Sequence, residues 1–181
     1  MAGLASKTYG HALFTLAKEQ KRTKELMEEA LVVSEVLKES PELLKFYNHP
    51  KVSLEEKKEL TEQCFAHRVS DSMTGFLMLI VENGRQNELE ESLRQFVAEV
   101  KEDEGIGIVE VCSALPLTAL QKQRLEARLL ATTRYRSLET DYRVETELIG
   151  GMVIRIKDRV LDASIRTQLS EMTKELQQIQ I

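Results

Sequence analysis

The hydrophobic pattern of this chain changes at Gly105-Ile106-Gly107. Before these glycines, apolar residues recur at intervals of three and four, which is the spacing of one face of an α-helix. After them, four residues alternate at every second position, as in a half-buried strand: Tyr142, Val144, Thr146 and Leu148. The sequence therefore predicts a helical domain over 1–105 and a small α+β domain over 106–181, with a hinge near Glu104.

The first 105 residues predict a bundle of six helices joined by short connections. Helix starts are indicated by capping residues and by one proline at a first helical position: Ser6, Thr23, Pro41, Ser53, Ser70 and Asn87. Stops are indicated at Gln20, at His49-Pro50, near Phe65 and at Asn83-Gly84. We expect the second helix to bury Leu26, Met27, Ala30, Leu31, Ser34 and Leu37, and the sixth to bury Leu89, Leu93, Phe96, Val97 and Val100.

The remaining residues predict strands and two helices. A strand is expected around Ile108–Cys112, and Thr118 with Gln121 forms a capping box for a helix reaching about Thr133. Residues 147–166 then predict a strand, a bend at Gly150-Gly151, a second strand, a turn, a third strand and a helix start. The final helix, from Ser164 to about Gln178, carries one apolar face: Ile165, Leu169, Met172 and Leu176.

Composition excludes several classes of protein. Charged residues make up 30% and aromatic residues 5%, with no Trp, which favours helices over a β-sandwich. A net charge of −5 disfavours a nucleic-acid-binding surface. The longest apolar run, Phe76 to Val81, has six residues, far fewer than the ~20 that span a bilayer. The first residues carry no secretory or transit signal. We therefore expect a cytosolic protein, whose link to a membrane comes through partners.

Chemically reactive residues form no recognisable site. Cys64 and Cys112 are predicted to be small buried residues without a disulfide. Cys64 and His67 have a spacing that metal ligands use, but two ligands do not complete a site. Asp158, Asp162 and Ser164 are expected to form turns and a helix cap. We therefore expect no catalytic residue, cofactor or metal. An enzyme built around Cys64 and His67 stays an alternative, testable by metal analysis and by Cys64→Ser.

The fifth helix is apolar on nearly all sides, since Leu79, Met78 and Val81 add to the stripe of Met73, Phe76, Leu77 and Ile80. Such a helix is either the centre of the bundle or one wall of a groove for a partner's amphipathic helix. The first helix has a similar face, formed by Tyr9, Ala12, Leu13 and Leu16. The pattern alone leaves both interpretations open.

Three segments of this chain resemble segments of one protein family, and they occur in the same order as in that family. They are Tyr9–Ala17, Val81–Arg85 and Glu147–Arg166. The resemblance is to the delta subunit of F-type ATP synthases, the bacterial counterpart of the mitochondrial oligomycin-sensitivity-conferring protein. The chain departs from the family pattern at Lys157-Asp158 and at Ala163, where members often have Gly, whereas Gly150-Gly151 is intact. These departures concern the shape of the turn.

The resemblance implies a non-catalytic stator subunit at the cytoplasmic face of the bacterial plasma membrane. It implies that the helical domain receives the N-terminal helix of an alpha subunit in a groove between the first and fifth helices. Seven residues are implied for that groove: Tyr9, Ala12, Phe76 and Leu79, with Leu13, Leu16 and Ile80 shared with the core.

The resemblance also implies that the C-terminal domain engages the C-terminal ends of the b subunits. The apolar face of the last helix either packs inward or contacts this stalk, and packing is the interpretation we favour. An unrelated helical adaptor, which would bind a partner helix without preferring ATP synthase subunits, stays open as a second function.

Overall fold

A computed structural model describes residues 2–66 and 68–179, with side chains described for 5–66 and 68–174. This part of the chain divides into two units, one ending at Val100 and the other beginning at Lys101. The helical unit and the α+β unit are described separately below.

The helical unit is built from α-helices and one 3₁₀ turn. The helices are α1 (Ala2–Glu19), α2 (Thr23–Glu39), α3 (Pro41–Asn48), α4 (Leu54–Phe65), α5 (Asp71–Glu82) and α6 (Leu89–Asp103). The 3₁₀ turn, Gln86–Glu88, lies between α5 and α6. Helix α6 continues to Asp103, just before the predicted hinge near Glu104, so its last three residues, 101–103, belong to the second unit. The chain then turns at Gly105, whose φ is +76°.

Several predicted caps are present and others are not. Ser53 and Glu56 form the predicted capping box of α4, and the Ser70 hydroxyl accepts a hydrogen bond from the Met73 amide at the start of α5. The prediction that Ser6 caps α1 is wrong, because α1 begins four residues earlier and Ser6 is buried within it. Asn87 lies inside the 3₁₀ turn rather than capping α6. Capping residues are common within elements too, so their presence alone does not mark a start.

One apolar core holds the helical unit together. It includes residues from α1, α2, α4, α5 and α6, and all five apolar residues expected to be buried in α6 belong to it. In α2 the buried positions are Leu26, Ala30, Val33 and Leu37. The prediction is thus confirmed for Leu26, Ala30 and Leu37 but is wrong at one position: Leu31 is exposed, and Val33 is in the core instead. Both residues are apolar, so the composition of the segment could not distinguish them.

The second unit combines one sheet with two helices. Its elements are β1 (Ile106–Ser113), α7 (Ala119–Thr132), β2 (Ser137–Val144), β3 (Met152–Ile156), β4 (Arg159–Asp162) and α8 (Ile165–Ile179). The strand order is β2-β1-β3-β4, with β1 and β2 parallel and the other pairs antiparallel. Helix α7 is the crossover between the two parallel strands and begins with the predicted Thr118–Gln121 capping box. Val109, Val111, Leu129 and Ile154 form the buried centre of the unit.

The predicted strand over residues 142–149 is correct only in part. Strand β2 ends at Val144, and Thr146–Leu148 forms a 3₁₀ turn. Leu148 is buried although it lies in that turn, and Ile149 has a φ of +65°. The alternation of apolar residues therefore continued past the point where the backbone leaves the sheet. Strand β2 also begins at Ser137, five residues before the alternation that predicted it.

Candidate functional site

Helices α1 and α5 lie side by side and antiparallel. At one end, the Ser72 hydroxyl in the first turn of α5 donates a hydrogen bond to the side-chain oxygen of Gln20, just after α1, at 3.0 Å. At the other end, the guanidinium of Arg85, which follows α5, lies 5.9 Å from the centre of the Tyr9 ring. The surface between the two helices therefore runs from Tyr9 and Arg85 to Gln20 and Ser72.

The seven predicted groove residues fall into three groups. Leu13, Phe76 and Ile80 are buried in the core of the helical unit. Tyr9 and Leu16 are half-buried and pack against that core. Ala12 is exposed, and the side chain of Leu79 is 46% exposed. Helix α5 is thus not buried on all sides, and only four of the seven residues have surface that a partner could cover.

Gly75 belongs to the same surface and was missed by sequence reasoning. It lies one helical turn before Leu79 and is exposed, and a Cβ built on it would meet nothing within 4 Å. A glycine inside a helix costs roughly 0.5–1 kcal/mol relative to alanine, yet none of the residues that the structure describes comes close enough to require one here. Gly10 differs, because its Cβ would lie 2.8 Å from the Cβ of Gln95 on α6. The sequence did contain a usable signal for this position, namely a glycine inside a predicted helix with apolar residues on either side of it.

We call this surface the α1/α5 strip, and define it by the exposed and half-buried residues along it: Tyr9, Ala12, Leu16, Gly75 and Leu79. None of them is charged. Ala12 and Gly75 are small and exposed, so a partner helix could approach the backbones of α1 and α5 closely at these positions. The strip is therefore suited to an apolar helix.

Several charged side chains of α1 and α5, and of the residues that follow α5, are paired with other charged or polar side chains of the helical unit. The His11 ring nitrogen Nδ1 is 2.9 Å from Glu99 Oε2 on α6. Lys58 of α4 forms an ion pair with Glu82 at the end of α5. Arg85 is 3.8 Å from Glu88.

A cleft of about 930 Å³ lies in the second unit, between the end of α7 and the β3–β4 hairpin. At its edge the Glu102 carboxylate accepts hydrogen bonds from Tyr135 Oη at 2.9 Å and from Arg134 at 3.4 Å, and Lys157 lies 3.4 Å away. Burial raises the pKa of Glu102, but these donors outweigh it and the net pKa is lowered. The Glu102 carboxylate thus links the end of α6 to Tyr135, Arg134 and Lys157 in its ionised form.

The apolar face of α8 is exposed. Leu169 and Met172 are 51% and 59% exposed, and Ile165, in the first turn, is exposed too. The expectation that this face packs inward is wrong for these residues; the Leu176 side chain lies outside the described residues. Because α8 is the last element of the unit and follows an edge strand, its amphipathic pattern could not indicate which surface covers it.

The two cysteines are half-buried free thiols rather than fully buried residues. Burial, followed by the nearby Glu145 carboxylate, raises the pKa of Cys112, so this thiol is not activated. His67 lies outside the described residues, so the structure does not place the Cys64–His67 pair. Among the residues that the structure does describe, no three His, Cys, Asp or Glu side chains are grouped so that they could hold a metal ion.

Comparison with known proteins identifies sequence relatives over nearly the whole chain. A family model described as "ATP synthase delta (OSCP) subunit" matches residues 5–176. The ATP synthase subunit delta of Lachnoclostridium phytofermentans is 43% identical over 181 residues, which is 100% of both chains. The protein of the same name from Nostoc punctiforme is 31% identical, over 97% of this chain and 95% of its own.

A solved structure has a similar fold. One chain of the cryo-EM structure of the Toxoplasma gondii mitochondrial ATP synthase hexamer aligns with a TM-score of 0.74. The alignment covers 94% of this chain and 96% of that one, at 23% sequence identity. At this identity the similarity concerns the fold alone.

Proposed function

Because the chain belongs to the ATP synthase delta (OSCP) subunit family, a family of non-catalytic peripheral-stalk subunits, we propose that one of its units binds the catalytic head and the other binds the peripheral stalk. The six helices α1–α6 bind the catalytic head, and the α+β unit binds the C-terminal ends of the b subunits. The head would otherwise turn with the rotor during proton-driven ATP synthesis. The subunit has no catalytic residues of its own in this role; it transmits torque.

On the head side, the α1/α5 strip receives the N-terminal helix of an alpha subunit. The observation that carries this proposal is the exposure of the apolar residue Leu79, whose neighbour in the chain, Ile80, is fully buried. Gly75, one helical turn before Leu79, has open space beside it, which leaves room for a second helix. An amphipathic helix docks its apolar face into such a surface through residues spaced three and four apart.

The free energy available from this surface is modest. Full burial of a large apolar side chain stabilises by about 1.5–3 kcal/mol, and only the exposed parts of Tyr9, Leu16 and Leu79 are still to be buried. The strip therefore contributes about 1–3.5 kcal/mol, and the partner helix a similar amount from its own apolar face. Even before the cost of ordering the helix, this total of about 2–7 kcal/mol corresponds to binding weaker than micromolar. Tighter attachment comes from the second unit acting on the same stator through effective concentration.

The attachment to the membrane is indirect. No helix within residues 2–66 or 68–179 is long and apolar enough to cross a bilayer. We place the subunit at the cytoplasmic face of the bacterial plasma membrane, held there by the stalk. Since the α1/α5 strip is uncharged, its affinity for the catalytic head should change little with salt concentration.

The test is calorimetric titration of the full chain with a peptide copying the N-terminal helix of the cognate alpha subunit. One-to-one binding weaker than micromolar is expected for the isolated helix. Ala12→Glu should abolish it, because it puts a carboxylate between the two helices. Lys7→Ala is the matched control: it lowers the net charge by the same one unit on a different, exposed face of α1. Equal loss in both variants, or no binding by the wild type, would refute the proposal.

A further inference from the structure

The segment Val81–Arg85, one of the three that resemble the family, forms the C-terminal cap of helix α5. The Gly84 amide donates a hydrogen bond to the Val81 carbonyl oxygen at 3.0 Å, and the Arg85 amide donates one to that of Ile80 at 3.0 Å. Gly84 has a φ of +66°, in the left-handed region that favours glycine. These features form a Schellman motif, so the glycine is required by the way the helix ends.

Asn83 lies directly before this glycine, and the two residues can react with each other. The Gly84 backbone nitrogen, after giving its proton to water, attacks Asn83 Cγ; a C–N bond forms, the Cγ–Nδ2 bond breaks, and the amide nitrogen takes a proton from water and leaves as ammonia. The resulting five-membered succinimide adds water at one of its two carbonyl carbons and opens to aspartate or isoaspartate. The other two asparagines, Asn48 and Asn87, precede residues whose side chains hinder this attack, whereas glycine has none.

The C-cap keeps the two reacting groups apart. Asn83 Nδ2, on the leaving group, donates a hydrogen bond to the Leu79 carbonyl oxygen at 2.8 Å, and the Gly84 N–H is held by Val81. The ψ of Asn83 is +3°, so the Gly84 nitrogen eclipses the backbone nitrogen of Asn83, whereas attack on Cγ requires it to lie on the side of Cβ. The reaction therefore needs the end of α5 to open first.

The last turn of α5 is weakly anchored to the rest of the helical unit. Asn83 and Gly84 are both exposed. The ion pair between Lys58 of α4 and Glu82 joins side chains that are 35% and 45% exposed, and such pairs contribute little to stability. Terminal turns open at a lower free energy than the buried centre of a helix. Brief opening of this turn therefore releases the reactive pair without unfolding the domain.

We infer that Asn83 is a site of spontaneous deamidation in this protein, with a rate set by opening of the last turn of α5. The product carboxylate cannot donate to the Leu79 carbonyl oxygen, and it places a negative charge at the negative end of the helix dipole. Residue 83 lies one helical turn after Leu79 on the same face, so the new charge also lies at the Arg85 end of the α1/α5 strip. Its effect on a docked helix rests on the proposed function; the reaction itself does not.

The test is mass spectrometry of the full chain, incubated in mildly alkaline buffer either folded or unfolded in urea, with amide-to-acid conversion and isoaspartate measured at each asparagine. In urea, Asn83 should convert much faster than Asn48 and Asn87. In the folded chain its conversion should be roughly tenfold or more slower. Lys58→Ala should speed conversion in the folded chain by about two- to fivefold, whereas Lys45→Ala, on the exposed surface of α3, should not. Equal rates in folded and unfolded chains would overturn the control by opening. Conversion of Asn83 in urea no faster than that of Asn87, or none in the folded wild type and Lys58→Ala, would overturn the site.

Two variants measure the consequences of the reaction. Asn83→Asp should lower Tm by about 4–8 °C, the shift that corresponds to losing roughly one capping hydrogen bond. Asn87→Asp makes the same change in charge outside the cap and should leave Tm within about 2 °C; equal shifts would overturn the role of the cap. Asn83→Asp should also bind the alpha-subunit peptide severalfold more weakly than Asn87→Asp, and equal affinities would overturn the effect on the strip. If the folded wild type does not bind that peptide, the proposed function fails, while the deamidation is decided by mass spectrometry alone.

Discussion

Leu79 and Ile80 are adjacent residues of α5 that should respond in opposite ways to the same substitution. Leu79 is 46% exposed on the α1/α5 strip, whereas Ile80 is 0% exposed in the core. Aspartate at either position adds one charge within the same helical turn. The comparison therefore separates a binding surface from a core with matched chemistry.

The magnitudes follow from the exposed fractions. Burying the exposed 46% of Leu79 on binding is worth about 0.7–1.4 kcal/mol, taking full burial as about 1.5–3 kcal/mol. In Leu79→Asp the interface also covers a carboxylate, which adds a desolvation cost of at least about 1 kcal/mol. Binding should thus weaken by about 2 kcal/mol or more, which is about thirtyfold.

Stability should change differently. Leu79→Asp loses the buried half of one side chain and some helix propensity, together about 1–2 kcal/mol. A domain stable by about 5–15 kcal/mol tolerates that loss. Ile80→Asp removes a fully buried side chain and leaves an unpaired charge in the core, which costs more than about 4 kcal/mol. We expect Leu79→Asp to melt cooperatively and Ile80→Asp to be largely unfolded.

The assay combines circular dichroism melting with calorimetric titration of the alpha-subunit peptide into the full chain. Wild-type affinity in a folded Leu79→Asp variant would mean that the partner helix lies elsewhere. Unfolding of Leu79→Asp to the same extent as Ile80→Asp would mean that α5 is simply the centre of the bundle. Either result would refute the reasoning.

Two stability predictions concern other residues. Gly10→Ala should destabilise by about 1–3 kcal/mol, since its Cβ would crowd Gln95, whereas Gly75→Ala, which meets nothing, should stabilise by about 0.5–1 kcal/mol; urea unfolding compares them, and an equal effect would contradict the packing. The Glu102 pKa is lowered because hydrogen bonding outweighs burial, so its stabilisation holds above the ordinary value of about 4.3 and is lost at lower pH. Melting of Glu102→Gln should show a smaller acid loss than the wild type; identical pH profiles would argue against this.

Elements with strong local signals could be predicted from sequence. The capping boxes at Ser53 and Thr118 satisfy backbone amides within four residues, so their effect does not depend on the rest of the fold. Pro41 starts α3 for the same local reason. The buried stripe of α6 followed from its spacing, because that helix has one clearly polar face. The family was also visible in the sequence, through three segments in a fixed order.

Features that depend on which element packs against a residue in the folded protein could not be predicted from local sequence signals. Leu31 and Val33 are both apolar, and only the packing of α2 decides which is buried. Gly10 and Gly75 are both helical glycines, and only the proximity of α6 distinguishes a packing requirement from an open surface. The apolar faces of α5 and α8 looked alike as patterns, and one proved largely buried while the other is exposed.

The sequence by itself determined the helical and mixed halves, the two capping boxes and the family, because hydrophobic period and capping act between residues close in the chain. Tertiary structure alone decided which apolar surface remains available. It divided the seven predicted groove residues into core, half-buried and exposed ones, and it added Gly75 to the exposed surface. It also left the apolar face of α8 uncovered. The physical reason is that burial is a property of the neighbours brought together by folding, and an apolar side chain has the same local signal whether its neighbour is its own core or another subunit.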